Sequence, residues 1–302
     1  MLRKAALLPA VLILSSCSVK KYAINQLGDA LAGTGTSFAA DDDPELIRAA
    51  VPFSLKLVES LLLESPRHEG LLLAASRGFT QFAYAFVQED ADELQDTDRV
   101  RSAQMRARAA KLYIRARNYG LRGLEVRHKD FIARLKANPK EAVKELKKPE
   151  VELMYWTTLS WAAALSASHD FAMLPEIPRF EALADRVLEL DDTYDEGAIH
   201  GFLITYEMSR LNPKPDRVAL AKAHFDRNIA LANGHQAAPF VTYAENVLVF
   251  QKDKAGFQQM LQQALKIDVN PWPEHRQLNL FMQRRARWLL SRTDKLFPAP
   301  KS

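Results

Sequence analysis

The stretch that decides the fold is residues 71–88, LLLAASRGFTQFAYAFVQ. It contains one Gly and no Pro, and it is too long for a buried strand, so it predicts a helix. Apolar residues surround nearly its whole circumference, which is typical of a helix packed inside an assembly of other helices. Its polar residues recur at steps of three and four and therefore share one face: Arg77, Gln81, Tyr84 and Gln88. Such a stripe indicates either a cavity or a core helix whose polar groups find local partners.

A second apolar segment, residues 151–167, repeats this pattern, with large aromatic residues beside a run of small ones at 162–164. Small residues allow helices to pack closely, and aromatic residues beside them form either a tight core or the wall of an apolar cavity. We predict that the two segments pack together and wall a cavity. The expected lining residues are Arg77, Gln81, Tyr84, Tyr155, Trp156 and Trp161.

Pairs of helices joined by short polar turns recur along the chain. The predicted pairs are 44–64 with 71–88, 180–190 with 196–210, 217–231 with 239–250, and 255–267 with 274–296. The last two turns begin after similar aliphatic junctions that lie 35 residues apart, close to the tetratricopeptide period of about 34. No alternating strand pattern of useful length is present. The sequence therefore predicts an all-α fold of stacked, degenerate tetratricopeptide-like hairpins, forming one domain over residues 44–302.

The first residues have the pattern of a bacterial lipoprotein leader. Arg3 and Lys4 precede a short apolar run, and residues 14–17 read LSSC, which matches a lipobox. We predict a signal peptide over residues 1–16, a lipid on Cys17, and a tether with one short helix over residues 17–43. Ser18 replaces the Asp that retains lipoproteins in the inner membrane, so the expected location is the periplasmic side of the outer membrane. A plain secretory signal with an incidental Cys is the alternative.

The remaining composition argues against several classes of function. Cys17 is the only cysteine, so it leaves no thiol for a disulfide, a metal site or a nucleophile. The seven His are scattered, and no two lie four residues apart on a predicted helix. Loss of the leader lowers the formal charge from +4 to +2, which gives no reason to expect nucleic acid binding. We therefore predict no cofactor, no metal and no enzymatic activity.

A basic stripe runs along the long helix predicted between residues 99 and 129. Four arginines at intervals of seven share one face of this helix: Arg101, Arg108, Arg115 and Arg122. The functional interpretation is docking of an acidic partner surface or an anionic ligand. The alternative is a solvated face balanced by the acidic residues just upstream, within residues 90–98.

Several sequence blocks, in this order after the lipobox, resemble one known family. They are FAADDDPEL (38–46), PFSLK (52–56), GFTQFAYAFVQ (78–88), RARNYGLRGLE (115–125) and YWTTLSW (155–161). Together they are similar to the TatT family, the T component associated with TRAP (tripartite ATP-independent periplasmic) transporters. The similarity extends over essentially the whole chain from Cys17.

This resemblance implies an all-α periplasmic lipoprotein that forms a homotrimer and has a pore or cleft through each subunit. It also implies binding to the substrate-binding P subunit of the transporter and a role with hydrophobic or amphipathic small molecules. The family is not regarded as enzymatic and offers no catalytic residues. Two other functions stay open from the sequence: a scaffold lipoprotein for envelope assembly with a protein-binding groove and no ligand cavity, and a cell-envelope hydrolase.

Overall fold

The described part of the chain is helical throughout its length. The computed structural model describes residues 25–30, 33, 35–168 and 170–299, and no β-strand occurs within these ranges. The all-α fold predicted from the sequence is therefore confirmed. The predicted lipidation site, Cys17, lies outside the described residues.

In the described residues of the N-terminal half, a helical segment at 25–30 precedes eight further helices and a π-helical turn. They are α1 (Gly35–Ala40), α2 (Pro44–Glu64), α3 (Glu69–Ala83), the π turn Tyr84–Gln88, α4 (Glu89–Leu94), α5 (Arg99–Arg127), α6 (Phe131–Ala137), α7 (Pro139–Ala142) and α8 (Val151–Ser168). Short 3₁₀ turns at Val143–Glu145 and Lys148–Glu150 connect α7 to α8.

The C-terminal half continues with helices α9 to α16. They are α9 (Ile177–Asp191), α10 (Ala198–Ser209), α11 (Arg217–Leu231), α12 (Ala238–Tyr243), the π turn Ala244–Leu248, α13 (Val249–Gln251), α14 (Lys254–Lys266), α15 (Arg276–Ser291) and α16 (Thr293–Leu296). The 3₁₀ turns Phe171–Glu176, Tyr194–Glu196 and Pro273–His275 precede α9, α10 and α15.

Local sequence signals explain where α2 begins. The Asp43 carboxylate accepts hydrogen bonds from the backbone N–H groups of Glu45 and Leu46, both at 3.0 Å. Pro44 occupies the first helical position, where its missing N–H costs nothing. The sequence predicted both the start and the end of this helix, and the internal Pro52 does not interrupt it.

Close packing of α3, α5 and α8 forms the centre of the larger hydrophobic core. Gly120 of α5 faces α8 so closely that a Cβ atom there would lie 2.1 Å from Thr157 Oγ1. Ala75, Ala109 and Ala116 are fully buried on the same three-helix contact surface. Small residues at these places let the helix axes approach, so α3 and α8 share a neighbour and also contact each other.

A second core lies between α12, α14 and α15, around Phe257 and Leu261. Tyr84 of the first π turn packs against both cores. Buried ion pairs add a polar connection between them, because Arg285 of α15 lies 3.3 Å from Glu89 and 3.0 Å from Asp92 of α4. Removing the arginine would leave the buried carboxylate of Glu89 without its ion-pair partner, which is strongly destabilising, whereas Asp92 would keep its pair with Arg106.

Several of the predicted helices differ from the structure at their ends. The helix predicted at 71–88 begins at Glu69 and continues through the π turn into α4. The helix predicted at 274–296 is divided into a 3₁₀ turn, α15 and α16. The predicted pair 180–190 with 196–210 corresponds to α9 and α10. Large side chains connect these two helices, since the rings of Phe180 and Tyr206 pack edge to face with their centroids 5.4 Å apart. The tetratricopeptide-like geometry of the pairs stays a prediction.

Candidate functional site

A large cavity of about 880 Å³ lies among α2, α3, α8, α10 and α15. Its wall is mainly apolar, and each of these helices contributes to it: Leu55 from α2, Phe82 from α3, Leu159 from α8, Phe202 from α10 and Phe281 from α15. The volume falls in the range of about 300–1,000 Å³ that is typical of small-molecule sites.

Small residues keep this space open. Ala74 and Gly78 of α3, together with Ala162 and Ala163 of α8, line the cavity on the sides where a larger residue would fill it. Gly78 has a second effect, since a Cβ atom there would lie 2.7 Å from Leu55 Cδ2. The alternation of small and aromatic residues in the two apolar segments therefore shapes both the packing and the cavity.

The polar stripe of residues 71–88 faces the cavity. Arg77, Gln81, Tyr84 and Gln88 all contribute to its wall. Arg77 donates a hydrogen bond from Nη1 to Glu152 at 3.0 Å, and the Gln88 side chain accepts one from the Tyr113 hydroxyl at 2.8 Å. The backbone that carries the stripe changes from α-helical to π-helical geometry at Tyr84. Turns of π-helix are common at functional sites.

Two of the three aromatic residues predicted on α8 also line the cavity. Tyr155 and Trp156 meet edge to face at 5.1 Å, and both side chains are buried. The Trp156 Nε1–H makes no hydrogen bond of ordinary geometry, although the Tyr194 hydroxyl lies beside it. Burial raises the pKa of the Tyr155 hydroxyl, so this group stays protonated.

The structure places Trp161 elsewhere. Its Nε1 donates a hydrogen bond to Glu176 at 2.7 Å, and Arg117 lies 5.2 Å from its ring. It lines a separate cleft of about 370 Å³ on the other side of α8. The physical reason is helical geometry, because five residues after Trp156 correspond to roughly 140° of rotation around the helix.

Two acidic groups at or near the cavity have raised pKa values. Asp195 is exposed at the cavity wall, and desolvation by the surrounding protein raises the pKa of its carboxyl group. Glu89, next to the cavity-lining Tyr84, has a pKa raised to about 7 by burial, although Arg285 acts in the opposite direction. The cavity surface is thus mainly apolar with a few charged groups, among them Arg77, Arg210 and Asp195.

The four arginines of the basic stripe have two different environments. Arg101 and Arg108 are exposed on α5. Arg115 pairs with the buried carboxylate of Glu59, and Arg122 donates a hydrogen bond to the carbonyl oxygen of Pro66 at 3.1 Å. The last two arginines therefore hold α5 against α2 and the turn that follows it, while the first two are accessible to a partner.

The sequence did not predict one cluster of residues near the cavity. Glu196, His235 and His275 come together from three separate turns, and His275 also lines the cavity. Their separations in sequence, 39 and 40 residues, exclude any single-helix motif. The available signal was that each residue lies at the junction of a successive predicted pair: His235 lies in the turn before 239–250, Glu196 is the first residue of 196–210, and His275 is the second residue of 274–296.

The fold and the cavity define an all-α protein with an internal apolar site. A family model described as the TRAP transporter T-component matches residues 40–297. The chain therefore belongs to the TRAP transporter T-component family, an accessory component of a transport system. A protein of Treponema pallidum (strain Nichols), described as uncharacterized, is 27% identical over 307 residues, covering 95% of this chain and 94% of that protein.

None of the helices in residues 25–30, 35–168 and 170–299 is both long enough and apolar enough to cross a bilayer.

Truncation of Trp156 tests whether this residue belongs to a cavity wall. In a packed core, Trp156→Ala would cost roughly 3–5 kcal/mol of unfolding free energy. We expect a smaller loss, because the side chain borders open space, together with altered uptake of a hydrophobic fluorescent probe. Chemical denaturation and probe titration measure the two effects.

Met154→Ala is the matched control on the same helix. Met154 is fully buried and lies outside the cavity lining, so its truncation should lower stability by about 2–5 kcal/mol and leave probe binding unchanged. A large stability loss in Trp156→Ala with unchanged probe binding would place Trp156 in the solid core instead.

Proposed function

We propose that this protein is a lipid-anchored periplasmic component of a TRAP transporter that holds a hydrophobic or amphipathic molecule in its cavity. The observation that carries the proposal is the cavity of about 880 Å³ with its mainly apolar wall. Burial of apolar surface would supply most of the binding free energy. The scaffold alternative requires no such cavity, and the family match favours transport over envelope assembly.

The polar groups of the wall favour an amphipathic ligand over a pure hydrocarbon. Arg77 provides a cation, and the Trp156 Nε1–H provides a buried donor for an acceptor atom. A buried donor without a well-formed hydrogen bond costs free energy, so a ligand oxygen placed there would recover it. A molecule with an apolar body and an oxygen-bearing head group fits both requirements.

The partner that we propose is the substrate-binding P subunit of the same transporter. Arg101 and Arg108 provide exposed positive charge on α5, and charge on an interface rim mainly accelerates encounter. Arg115 and Arg122 contribute indirectly, since their contacts with Glu59 and Pro66 fix the helix that displays the first two. A homotrimer is part of the proposal through the family resemblance alone.

The anchor in this proposal is a diacylglycerol group on Cys17 at the periplasmic side of the outer membrane. Two observations support it: the lipobox at residues 14–17 and the lack of a membrane-spanning helix among the described residues. Membrane attachment would then depend on this lipid.

Charge reversal on the stripe tests partner docking. Arg101→Glu with Arg108→Glu should slow association with the P subunit by about tenfold or more at low ionic strength, since electrostatic steering accelerates encounter by roughly 10–10³-fold. It should also flatten the salt dependence of the rate. Stopped-flow or surface-based kinetics at several salt concentrations measure both quantities.

Lys129→Glu with Lys140→Glu is the control for this experiment. It makes the same change in net charge at exposed positions outside the stripe. Equal slowing by both double variants would mean that only net charge matters, and an unchanged rate in the stripe variant would assign Arg101 and Arg108 to ordinary solvation.

Substitution of the cysteine tests the anchor. Cys17→Ala removes the thiol that would carry lipid, so the protein should leave the membrane fraction or keep its signal peptide. Cell fractionation and intact mass measure this, with Ser18→Ala as the neighbouring control that keeps the thiol. Membrane fractionation of Cys17→Ala like the wild type would reveal a second anchor and contradict the proposal.

A further inference from the structure

Three turns on one side of the C-terminal half each carry one residue whose side chain can bind a metal ion. Glu196 ends the 3₁₀ turn before α10, His235 lies between α11 and α12, and His275 ends the 3₁₀ turn before α15. The stacking of successive helix pairs brings these equivalent turns next to one another. The convergence is therefore a property of the tertiary structure.

The three side chains point to one place. His235 Nε2 lies 2.8 Å and His275 Nε2 lies 3.1 Å from the same carboxylate oxygen, Glu196 Oε2. The three ligand atoms all lie within 4.8 Å of one another. Both histidines are buried, while Glu196 is partly exposed and leaves a route for an ion from solvent.

A shell of fixed contacts holds the ligand-bearing turns. Asn228 Nδ2 donates to the backbone oxygen of Glu196 at 3.0 Å. The fully buried Asn279 bonds the backbone on both sides of Gln236, donating to the oxygen of His235 at 3.0 Å and accepting from the N–H of Ala237 at 2.8 Å. The positions of two of the three ligands are thus set before any ion binds, as a metal site requires.

Backbone strain is concentrated at the same place. Asp195 and Glu196 have φ angles of 46° and 53°, and Gly197 follows at 84°. Consecutive non-glycine residues in the left-handed region cost free energy and persist only where the surroundings enforce them. The result of this conformation is that the Glu196 carboxylate turns toward His235 and His275.

We propose that Glu196, His235 and His275 bind a divalent transition metal ion of the zinc class. Two imidazoles and one carboxylate are the donor set that such ions prefer over calcium or magnesium, which favour oxygen ligands. Zinc bonds of about 2.0–2.2 Å in tetrahedral geometry place neighbouring ligand atoms about 3.3 Å apart. The two Glu–His separations need to widen by only a few tenths of an ångström to reach that value.

Three protein ligands leave a fourth coordination position open, as in zinc sites that bind an exchangeable water or substrate group. His275 and Gln236 both line the cavity, so the ion would lie at the cavity edge. Gln236 Nε2 lies 2.7 Å from Glu196 Oε2 and is placed to hydrogen-bond the ligating carboxylate. The ring of Trp272 stacks on His235 with centroids 4.2 Å apart and fixes its orientation.

A zinc titration of the full mature chain in detergent tests this site. After removal of metals with a chelator, calorimetry with zinc chloride should show saturable binding of one ion per chain and a raised Tm. Cobalt(II) should bind at the same stoichiometry and give the visible absorption of a four-coordinate site. No saturable binding of either ion would overturn the proposal.

Polar substitutions of the ligands locate the ion. Glu196→Gln and His275→Gln should each weaken zinc binding by more than about 100-fold, because outer-shell partners alone account for roughly 10–100-fold. Both variants keep side chains that hydrogen-bond, so their Tm without zinc should stay close to that of the wild type. Only the increase of Tm on adding zinc should be lost.

His224→Gln is the matched control, since it changes a histidine of α11 that pairs with His200, with their Nδ1 atoms 2.9 Å apart. It should bind zinc with wild-type affinity. Wild-type affinity in Glu196→Gln and His275→Gln, or an equal loss in His224→Gln, would show that the ion binds somewhere else.

Discussion

The close approach of α5 to α8 at Gly120 is the constraint on which the rest of the structure depends. A Cβ atom at that position would lie 2.1 Å from Thr157 Oγ1, so another residue fits only if the Thr157 side chain or a helix moves. This contact fixes α8 beside α3, and the small residues of both helices then face a space that aromatic side chains border but do not fill. A well-packed helical core and an open cavity thus result from the same two segments.

Polar and charged groups are distributed to match this arrangement. Full charges are paired where they are buried outside the cavity, as in the contacts of Arg285 with Glu89 and Asp92. The cavity wall itself carries neutral polar groups, such as the hydroxyl of Tyr155 and the indole N–H of Trp156, beside a few charged groups, such as Arg77 and Arg210. An apolar environment with few, fixed polar groups binds amphipathic molecules by shape and burial.

The sequence predicted what depends on local pattern. The cap at Asp43, the ends of α2 and α11, the start of α5, and the shared face of the stripe at Arg77 all follow from helix signals within a few residues. It did not predict features that depend on three-dimensional packing: the two π turns, the rotation that takes Trp161 to another cleft, and the meeting of Glu196 with two distant histidines. Each of these requires knowledge of how turns and helix faces align in space.

Native mass spectrometry of the chain isolated from its bacterial envelope tests most directly whether the cavity holds a bound molecule. We expect one non-covalent adduct per chain, of lipid-like composition, that is lost on denaturation, while the covalent lipid that we propose on Cys17 would remain. A chain that carries no such molecule, and that takes up none when mixed with lipids extracted from the same envelope, would contradict the account.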